Sequence, residues 1–334
     1  MGIVNRRITL AARPVGEPTE ADFALVEAPV PELGDGEVLV RTRWLSLDPY
    51  QRGRMSSARS YAAPVELGEV ITGEAVGEIV ESRTRRHSPG ELVVGPFGWQ
   101  EWATARAGSL RAVSGAAPPS TSLHVLGMTG LTAYFGLFDV ARPRPGDTVV
   151  VSAAAGAVGQ VVGQLARMTG CHTVGLASAG KLEDLTETYG YDTAIDYRRE
   201  DLAAALKAAC PHGADVYFDN VGGAVSDAVS RRLAVGARVA VCGLVSQYNL
   251  AEPELAPRNL GFLIVSRVRM EGFLVTDYRH RFPEGLGRLQ RWVEEGRLTY
   301  REDVVEGLEQ APRAFIGLLR GENRGKLLVK VADA

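Results

Sequence analysis

The sequence predicts an α/β protein in which a mostly-β part accompanies a doubly wound parallel sheet. Three observations predict it. Short apolar–polar alternations such as EVLVRTRWLSL, ITGEAVGEIVES and ELVVGPFGWQEWATA fill the N-terminal part. From about Leu123 the style changes to compact apolar runs, DTVVVS, CHTVGLAS, DTAIDY, DVYFDN and ARVAVCG. At the first of these runs, VVVSAAAGAVGQVVGQLA gathers Ala153, Ala154, Ala155, Gly156 and Gly159 where a strand should turn into a helix.

Each element follows from its pattern. The early alternations, broken by APVPELGDGE and RHSPGE, have the period of half-buried strands joined by tight turns, mostly antiparallel. Between the later runs lie the helix-like stretches GQVVGQLARM, LEDLTETYG, EDLAAALKAAC and AVSDAVSRRLA. Strands alternating with helices require right-handed crossovers, hence a parallel sheet with helices on both faces. VRMEGFLV reads as a sixth strand. FPEGLGRLQRWVEEG reads as an amphipathic helix, with Leu286, Leu289 and Val293 near helical spacing. The tail adds a helix, APRAFIGLLRG, and a strand, GKLLVKV.

Composition excludes several classes. The 334 residues are 46% hydrophobic and 23% charged with a formal net charge of -3, so no basic footprint points to nucleic acid or an anionic membrane. Cys171, Cys210 and Cys242 are odd in number and widely spaced, which is neither a disulfide framework nor a zinc cluster. The five histidines, His87, His124, His172, His212 and His280, form no H-E-x-x-H or His–Cys set and read as surface or structural residues; no metal is expected. MGIVNRRITLAARP has no apolar core of signal-peptide length, and Arg6 stands where a myristoylation signal wants Ser or Thr. No segment approaches a membrane span, so a cytoplasmic protein is expected. Gly175 to Lys181 imitates a P-loop, but Leu182 replaces the hydroxyl residue that would hold magnesium. No G-x-S-x-G elbow is present, since Ser178 sits in GLASAG.

Ala153-x-x-Gly156-x-x-Gly159 follows a strand and opens a helix, the context a dinucleotide fingerprint needs. A bare backbone at Gly156 allows close approach of a pyrophosphate, Gly159 allows helix and strand to pack closely, and the helix N-terminus offers free N–H groups. The plain alternative is a packing turn with no ligand. An NAD site would carry an acid at the end of the second strand, yet Ala177, Ser178, Ala179 and Gly180 stand there, followed by Lys181. A missing carboxylate and a nearby cation favour NADP(H), although Lys181 also reads as a solvated residue at a helix start.

With these residues on the page, the chain resembles the zinc-independent branch of the medium-chain dehydrogenase/reductase superfamily, and within it the NADPH-dependent alkenal/one double-bond reductases. The likeness runs through WLSLDPYQRGRM, GEAVGEIVES, GWQEWA, LGMTGLTAYFGL, AAAGAVGQVVGQLA, YGYDTAIDY, DVYFDNVGG, CGLVSQYN, RMEGFLVTDY and GENRGKLLVKV. It implies a GroES-like, mostly-β domain over 1–122 and 300–334, with a Rossmann NADP-binding domain over 123–299. It also implies a homodimer. By the matching blocks, Gly156, Ala157, Val158 and Gly159 would hold the pyrophosphate, and Lys181 and Tyr197 the 2′-phosphate and its ribose. Asn220 and the stretch Cys242, Gly243, Leu244 to Tyr248 would border the nicotinamide ribose. Phe273, Leu274 and Val275 would meet the carboxamide, and Asn323 would close over the cofactor. The expected activity is hydride transfer to the β-carbon of an α,β-unsaturated aldehyde or ketone. Where several relatives carry a catalytic tyrosine this chain has Val265, leaving Tyr248 and Tyr50 as candidate hydroxyl donors. The alternatives are a zeta-crystallin-type quinone reductase and a non-catalytic dinucleotide-binding scaffold.

Overall fold

The computed structural model describes residues 3–115, 117–198, 201–256 and 260–332. The chain opens on a hairpin of β1 (Val4–Leu10) and β2 (Phe23–Pro29). There follow β3 (Glu37–Ser46), the short helix α1 (Tyr50–Arg54), β4 (Ala75–Ser82), β5 (Leu92–Gly95), β6 (Trp102–Arg106) and β7 (Arg111–Ala112). Next come α2 (Met128–Phe135), β8 (Thr148–Val151), α3 (Gly159–Met168), β9 (His172–Ala177) and β10 (Thr193–Asp196). They are succeeded by α4 (Leu202–Ala209), β11 (Ala214–Asp219), α5 (Gly223–Ser230), β12 (Leu233–Val241), α6 (Gly261–Val265), β13 (Arg269–Gly272) and α7 (Phe282–Glu294). The chain ends with β14 (Glu302–Glu306), α8 (Ala311–Arg320) and β15 (Lys326–Lys330).

These elements form two compact units, Met1–Leu123 with Tyr248–Ala251 and Glu302–Ala334, and His124–Gln247 with Glu252–Arg301. Tyr248 therefore groups with the first unit, not with the segment 123–299; the carbonyl of its neighbour Asn249 faces Gly16. Tyr300 and Arg301 group with the second, where the Arg301 N–H donates to Gln160 Oε1 at 2.8 Å.

The first unit is built on a sheet in the order β14-β15-β3-β4-β5-β7, with β6 also paired to β3. Only β14 and β15 run parallel; the other pairs are antiparallel. The alternation read in EVLV places Val38 and Val40 inward, both fully buried. The core centres on Trp99, stacked on Phe23 at 5.8 Å, with Phe315 of α8 edge-on to both at 5.5 and 6.3 Å. Burying such rings contributes roughly 1.5–3 kcal/mol each. Pro312 in its first turn starts α8, and Gly321 at φ +74° ends it.

The second unit carries a fully parallel sheet in the order β10-β9-β8-β11-β12-β13. Helix α2 packs on α3 and α7, whereas α4 packs on α5. The strand order reverses between β8 and β11, the topological switch point outside which ligands bind in such sheets. The stretch LEDLTETYG departs from a regular helix: Asp184–Thr188 is a wide π turn closed by the Tyr189 N–H on the Asp184 carbonyl at 3.0 Å. Leu185 within it and Tyr189 and Tyr191 beyond it are all buried. Among the described residues, no helix is long and apolar enough to cross a membrane.

Candidate functional site

β8 ends at Val151, and the residues up to Val158 form the elbow into α3. Ala153 lies at φ +48°, the left-handed conformation that glycine fills more easily. Its carbonyl accepts the Gly156 N–H at 2.9 Å, closing the turn. The two glycines then have different reasons to exist. A Cβ on Gly159 would lie 2.3 Å from the Ala153 carbonyl oxygen and 2.7 Å from the Ala154 Cα, so the start of α3 seats against the elbow only through glycine. A Cβ on Gly156 would meet the Ala153 oxygen at 3.1 Å and otherwise face open space. Close approach from outside is thus possible at Gly156 and packing is decisive at Gly159.

The bond of Gln160 N–H to the Gly156 carbonyl, at 3.0 Å, begins the α3 ladder. The N–H groups of Ala157, Val158 and Gly159 precede it, at the positive end of the helix dipole. Two side chains from elsewhere reach the elbow. The Tyr191 hydroxyl donates to the Gly159 carbonyl at 2.8 Å, and His124 Nε2 lies 3.3 Å from the Ala157 carbonyl oxygen.

Across the switch point, the end of β11 is tied to the same elbow. Asn220 donates its backbone N–H to Ser152 Oγ at 2.9 Å and its side-chain amide to the Ser152 carbonyl at 2.8 Å. Asp219 Oδ1 accepts from Ser152 Oγ, Tyr217 Oη and the N–H groups of Val221 and Gly222. The Asp219 carbonyl takes the N–H groups of Cys242 at 2.8 Å and Gly243 at 3.1 Å, bringing the end of β12 alongside. Burial, reinforced by Asp219, pushes the Cys242 thiol up to about 12, so it is a small apolar group and no nucleophile. Leu244 is exposed beyond it. Phe273, just past β13, sets its ring edge-on to Phe218 at 6.2 Å and fills the space beside Gly136, where a Cβ would come within 2.4 Å of it. Leu274 is exposed and Val275 opens a 3-10 turn.

At the ends of β9 and β10, Lys181 closes a short turn through its N–H on the Ser178 carbonyl at 2.9 Å. The Tyr197 N–H donates to the Ala177 carbonyl at 3.2 Å, holding the two strand ends together. Arg198, not singled out in the sequence, stacks its guanidinium 5.5 Å from the Tyr197 ring and donates to the Tyr197 oxygen at 3.1 Å.

The first unit holds the phenols. Tyr50 opens α1 two residues after Asp48, whose carboxylate is bound by Lys326 Nζ at 2.7 Å and by the Ser46 hydroxyl. Lys326 is 1% exposed and also donates to the Leu47 carbonyl at 2.7 Å. Burial, then the charges of Asp48, Glu74 and Tyr61, hold the Tyr50 phenol well above its ordinary range. Tyr61 is raised by burial and then by Tyr248, so Tyr50, Tyr61 and Tyr248 lie within electrostatic reach in series. Asn323 uses its amide locally, on the Gly325 carbonyl at 2.6 Å. Val265, at the end of α6, is 74% exposed.

The sequence reading missed His124 as a partner of the elbow, and Ser152, Tyr191, Asp219, Arg198 and Tyr61. Only Asp219 and Arg198 had a visible signal, as neighbours of Asn220 and Tyr197. Two open pockets, one in each unit, lie elsewhere. One of about 470 Å³ is lined by Gln164, Arg167, Thr186, Tyr189 and Thr299, and one of about 520 Å³ by Arg6, Arg41, Arg43 and Trp102. Neither includes an expected site residue. In open parallel sheets, ligands bind outside the carboxyl ends of the strands at the switch point.

Residues 6–113 match the family described as N-terminal domain of oxidoreductase, and residues 157–291 the family described as zinc-binding dehydrogenase. The zinc in that description finds no fit: among the described residues no three His, Cys, Asp or Glu side chains gather, and burial raises the Cys171 and Cys210 thiols to about 11. The NADPH-dependent curcumin reductase of Escherichia coli is 45% identical over 98% of this chain and 97% of its own. The NADP(+)-dependent 2-alkenal reductase of Nicotiana tabacum is 42% identical over 99% and 98%. The crystal structure of CurA in complex with NADPH from Vibrio vulnificus superposes with a TM-score of 0.95 at 44% identity, covering 98% of this chain and 100% of that one.

Proposed function

Since the chain belongs to the medium-chain dehydrogenase/reductase family that contains curcumin, 2-alkenal and prostaglandin reductases, we propose that it reduces the carbon–carbon double bond of α,β-unsaturated aldehydes or ketones with NADPH. The observation that carries this reading is the elbow and Asn220 flanking one switch point, with Lys181 one strand along and Tyr197 and Arg198 two.

Those residues fit the cofactor's chemistry. The N–H groups of Ala157, Val158 and Gly159 suit a pyrophosphate, approached over the bare face of Gly156. Lys181 and Arg198 suit a 2′-phosphate, with Tyr197 against the ribose. Asn220, Cys242, Gly243 and Leu244 provide a ledge for the nicotinamide ribose, and backbone groups of Phe273 to Val275 for the carboxamide. Asn323 remains a proposed cofactor residue by the family resemblance alone. When bound, the reduced nicotinamide supplies the hydride that goes to the substrate β-carbon.

As the hydride arrives, negative charge develops on the carbonyl oxygen, and a hydrogen-bond donor aimed there lowers the barrier. A neutral phenol suffices. Tyr50, held above its ordinary range, keeps its proton, and either it or Tyr248 acts as that donor. A phenol or water then delivers the proton to the α-carbon. Val265 has no hydroxyl and is exposed, so it takes no part.

Following the NADPH absorbance with a panel of enones, and analysing the products, tests the reading. The expected product is the saturated carbonyl compound. An alcohol with its double bond intact would refute the scheme. Faster turnover of quinones than of enones would favour the quinone reductase reading, and tight binding without oxidation the scaffold. Lys181→Ala should raise KM for NADPH about tenfold and leave NADH unaffected, as expected for one lost charge-assisted contact.

A cytoplasmic homodimer completes the proposal. Support for the dimer comes from β13, an edge strand bearing Met270 at 46% exposed, with Ile264 at 80% and Val265 at 74% nearby in sequence. Light scattering that finds a monomer at micromolar concentration would remove it.

A further inference from the structure

The proposed NADPH elbow has a side-chain support of its own in this chain. His124 is completely buried at the start of the second unit. Its backbone is held by a compact turn, in which the His124 carbonyl accepts the N–H groups of Gly127 and Gly130 and the Thr129 hydroxyl, each at 3.0 Å. That turn admits no side chain at Gly130, where a Cβ would lie 2.0 Å from the Val125 carbonyl oxygen. The imidazole is further wedged edge-on against Tyr300, with ring centres 5.9 Å apart. From this fixed position Nε2 lies 3.3 Å from the Ala157 carbonyl oxygen.

A carbonyl only accepts, so the ring nitrogen facing it carries the proton. The peptide joining Ala157 to Val158 is trans, so its C=O and its N–H point in opposite directions. Drawing the carbonyl inward therefore turns the Val158 N–H outward. That N–H stands ahead of the α3 ladder, whose first bond is Gln160 to Gly156. We infer that His124 is a positioning residue for pyrophosphate binding, which fixes the 157–158 peptide so that the Val158 N–H is presented to the phosphate before the dinucleotide arrives. This rests on the elbow being the NADPH site. Tyr191 does a different task from the other side, anchoring the first turn of α3 through the Gly159 carbonyl.

His124→Phe keeps a ring against Tyr300 and removes the N–H; His124→Gln restores a donor of similar reach. Calorimetric titration should show NADPH affinity about tenfold weaker in the Phe variant, the scale of one lost hydrogen bond, and largely recovered in the Gln variant. Binding of 2′-AMP, which has no pyrophosphate, should be unchanged. In turnover, KM for NADPH should rise while kcat at saturation holds. Equal NADPH affinity in wild type and the Phe variant, a parallel loss of 2′-AMP binding, or a fall in kcat alone would overturn the inference. Should the Phe variant not fold, long-range nitrogen–proton NMR of the wild type decides: a neutral His124 protonated on Nδ1 refutes the inference, and on Nε2 supports it. Wild-type protein that fails to bind NADPH at all would instead strike the parent reading.

Discussion

At the carboxyl ends of β8 and β11 the groups proposed for binding are backbone N–H groups and one side-chain amide, whereas in the first unit the candidates proposed for chemistry are the phenols of Tyr50 and Tyr248. The strand-end groups are fixed by covalent geometry and by hydrogen bonds that leave little freedom: Asn220 to Ser152 twice, and Asp219 to four donors. The phenols stand on side chains: Tyr50 opens α1 two residues after Asp48, which Lys326 binds, and burial keeps its phenol protonated. A backbone-built site recognises charge and shape and is hard to alter without altering the fold. A side-chain-built site sets chemistry and is open to substitution.

The sharpest way to break this contrast is within the elbow. Gly159→Ala forces a Cβ against backbone atoms that cannot yield, and should cost about 3 kcal/mol of unfolding free energy and abolish NADPH binding. Gly156→Ala should leave the unfolding midpoint nearly unchanged while weakening NADPH at least about tenfold, because only the approach of the phosphate is obstructed. If both variants lose stability alike, the division of labour between the two glycines is mistaken. In the first unit, Lys326→Met strands the Asp48 carboxylate and should cost about 3 kcal/mol. Denaturant titration measures it, and NADPH affinity of the folded variant should not move. Next in size, Tyr248→Phe and Tyr50→Phe should lower kcat on an enone by about a hundredfold for whichever phenol faces the developing oxyanion, with Kd for NADPH unchanged. Parallel loss of cofactor affinity would place the phenols with binding and not with chemistry. The smallest effect is an expected silence. A thiol at about 12 is ionised at pH 8 to the order of one part in ten thousand. Cys242 should therefore resist iodoacetamide in the folded protein and react in urea, as peptide mass spectrometry would show.

Legibility follows the same line. The parallel strands were readable because continuous apolar runs and helical periods are local: DTVVVS, CHTVGLAS and DTAIDY contain β8, β9 and β10, while DVYFDN and ARVAVCG overlap β11 and the second half of β12. The elbow was readable because glycine spacing encodes backbone approach directly. The N-terminal hairpin escaped notice, since ITLAARP and FALVEAP alternate only over a few residues and are joined by a long polar loop. LEDLTETYG has a helical composition, but the inward pull on Tyr189 and Tyr191 widens it to a π turn. Partners of the elbow were invisible for a topological reason. Ser152 meets Asn220 across 68 residues, Tyr191 meets Gly159 across 32, and His124 meets Ala157 across 33. No local pattern reports such pairs. Tyr61 belongs to the same class, being tied to Tyr50 and Tyr248 only through space.

Ala153 has one further consequence. A glycine at φ +48° would explore many backbone states when the elbow is vacant, and a dinucleotide would have to freeze them. A methyl group there forbids most of those excursions, at a conformational cost of roughly 1–2 kcal/mol carried by the folded chain. The receptor is thereby stiffened in advance, so less entropy is lost on association and dissociation is slowed. Ala153→Gly should accordingly relax the fold yet release its dinucleotide faster.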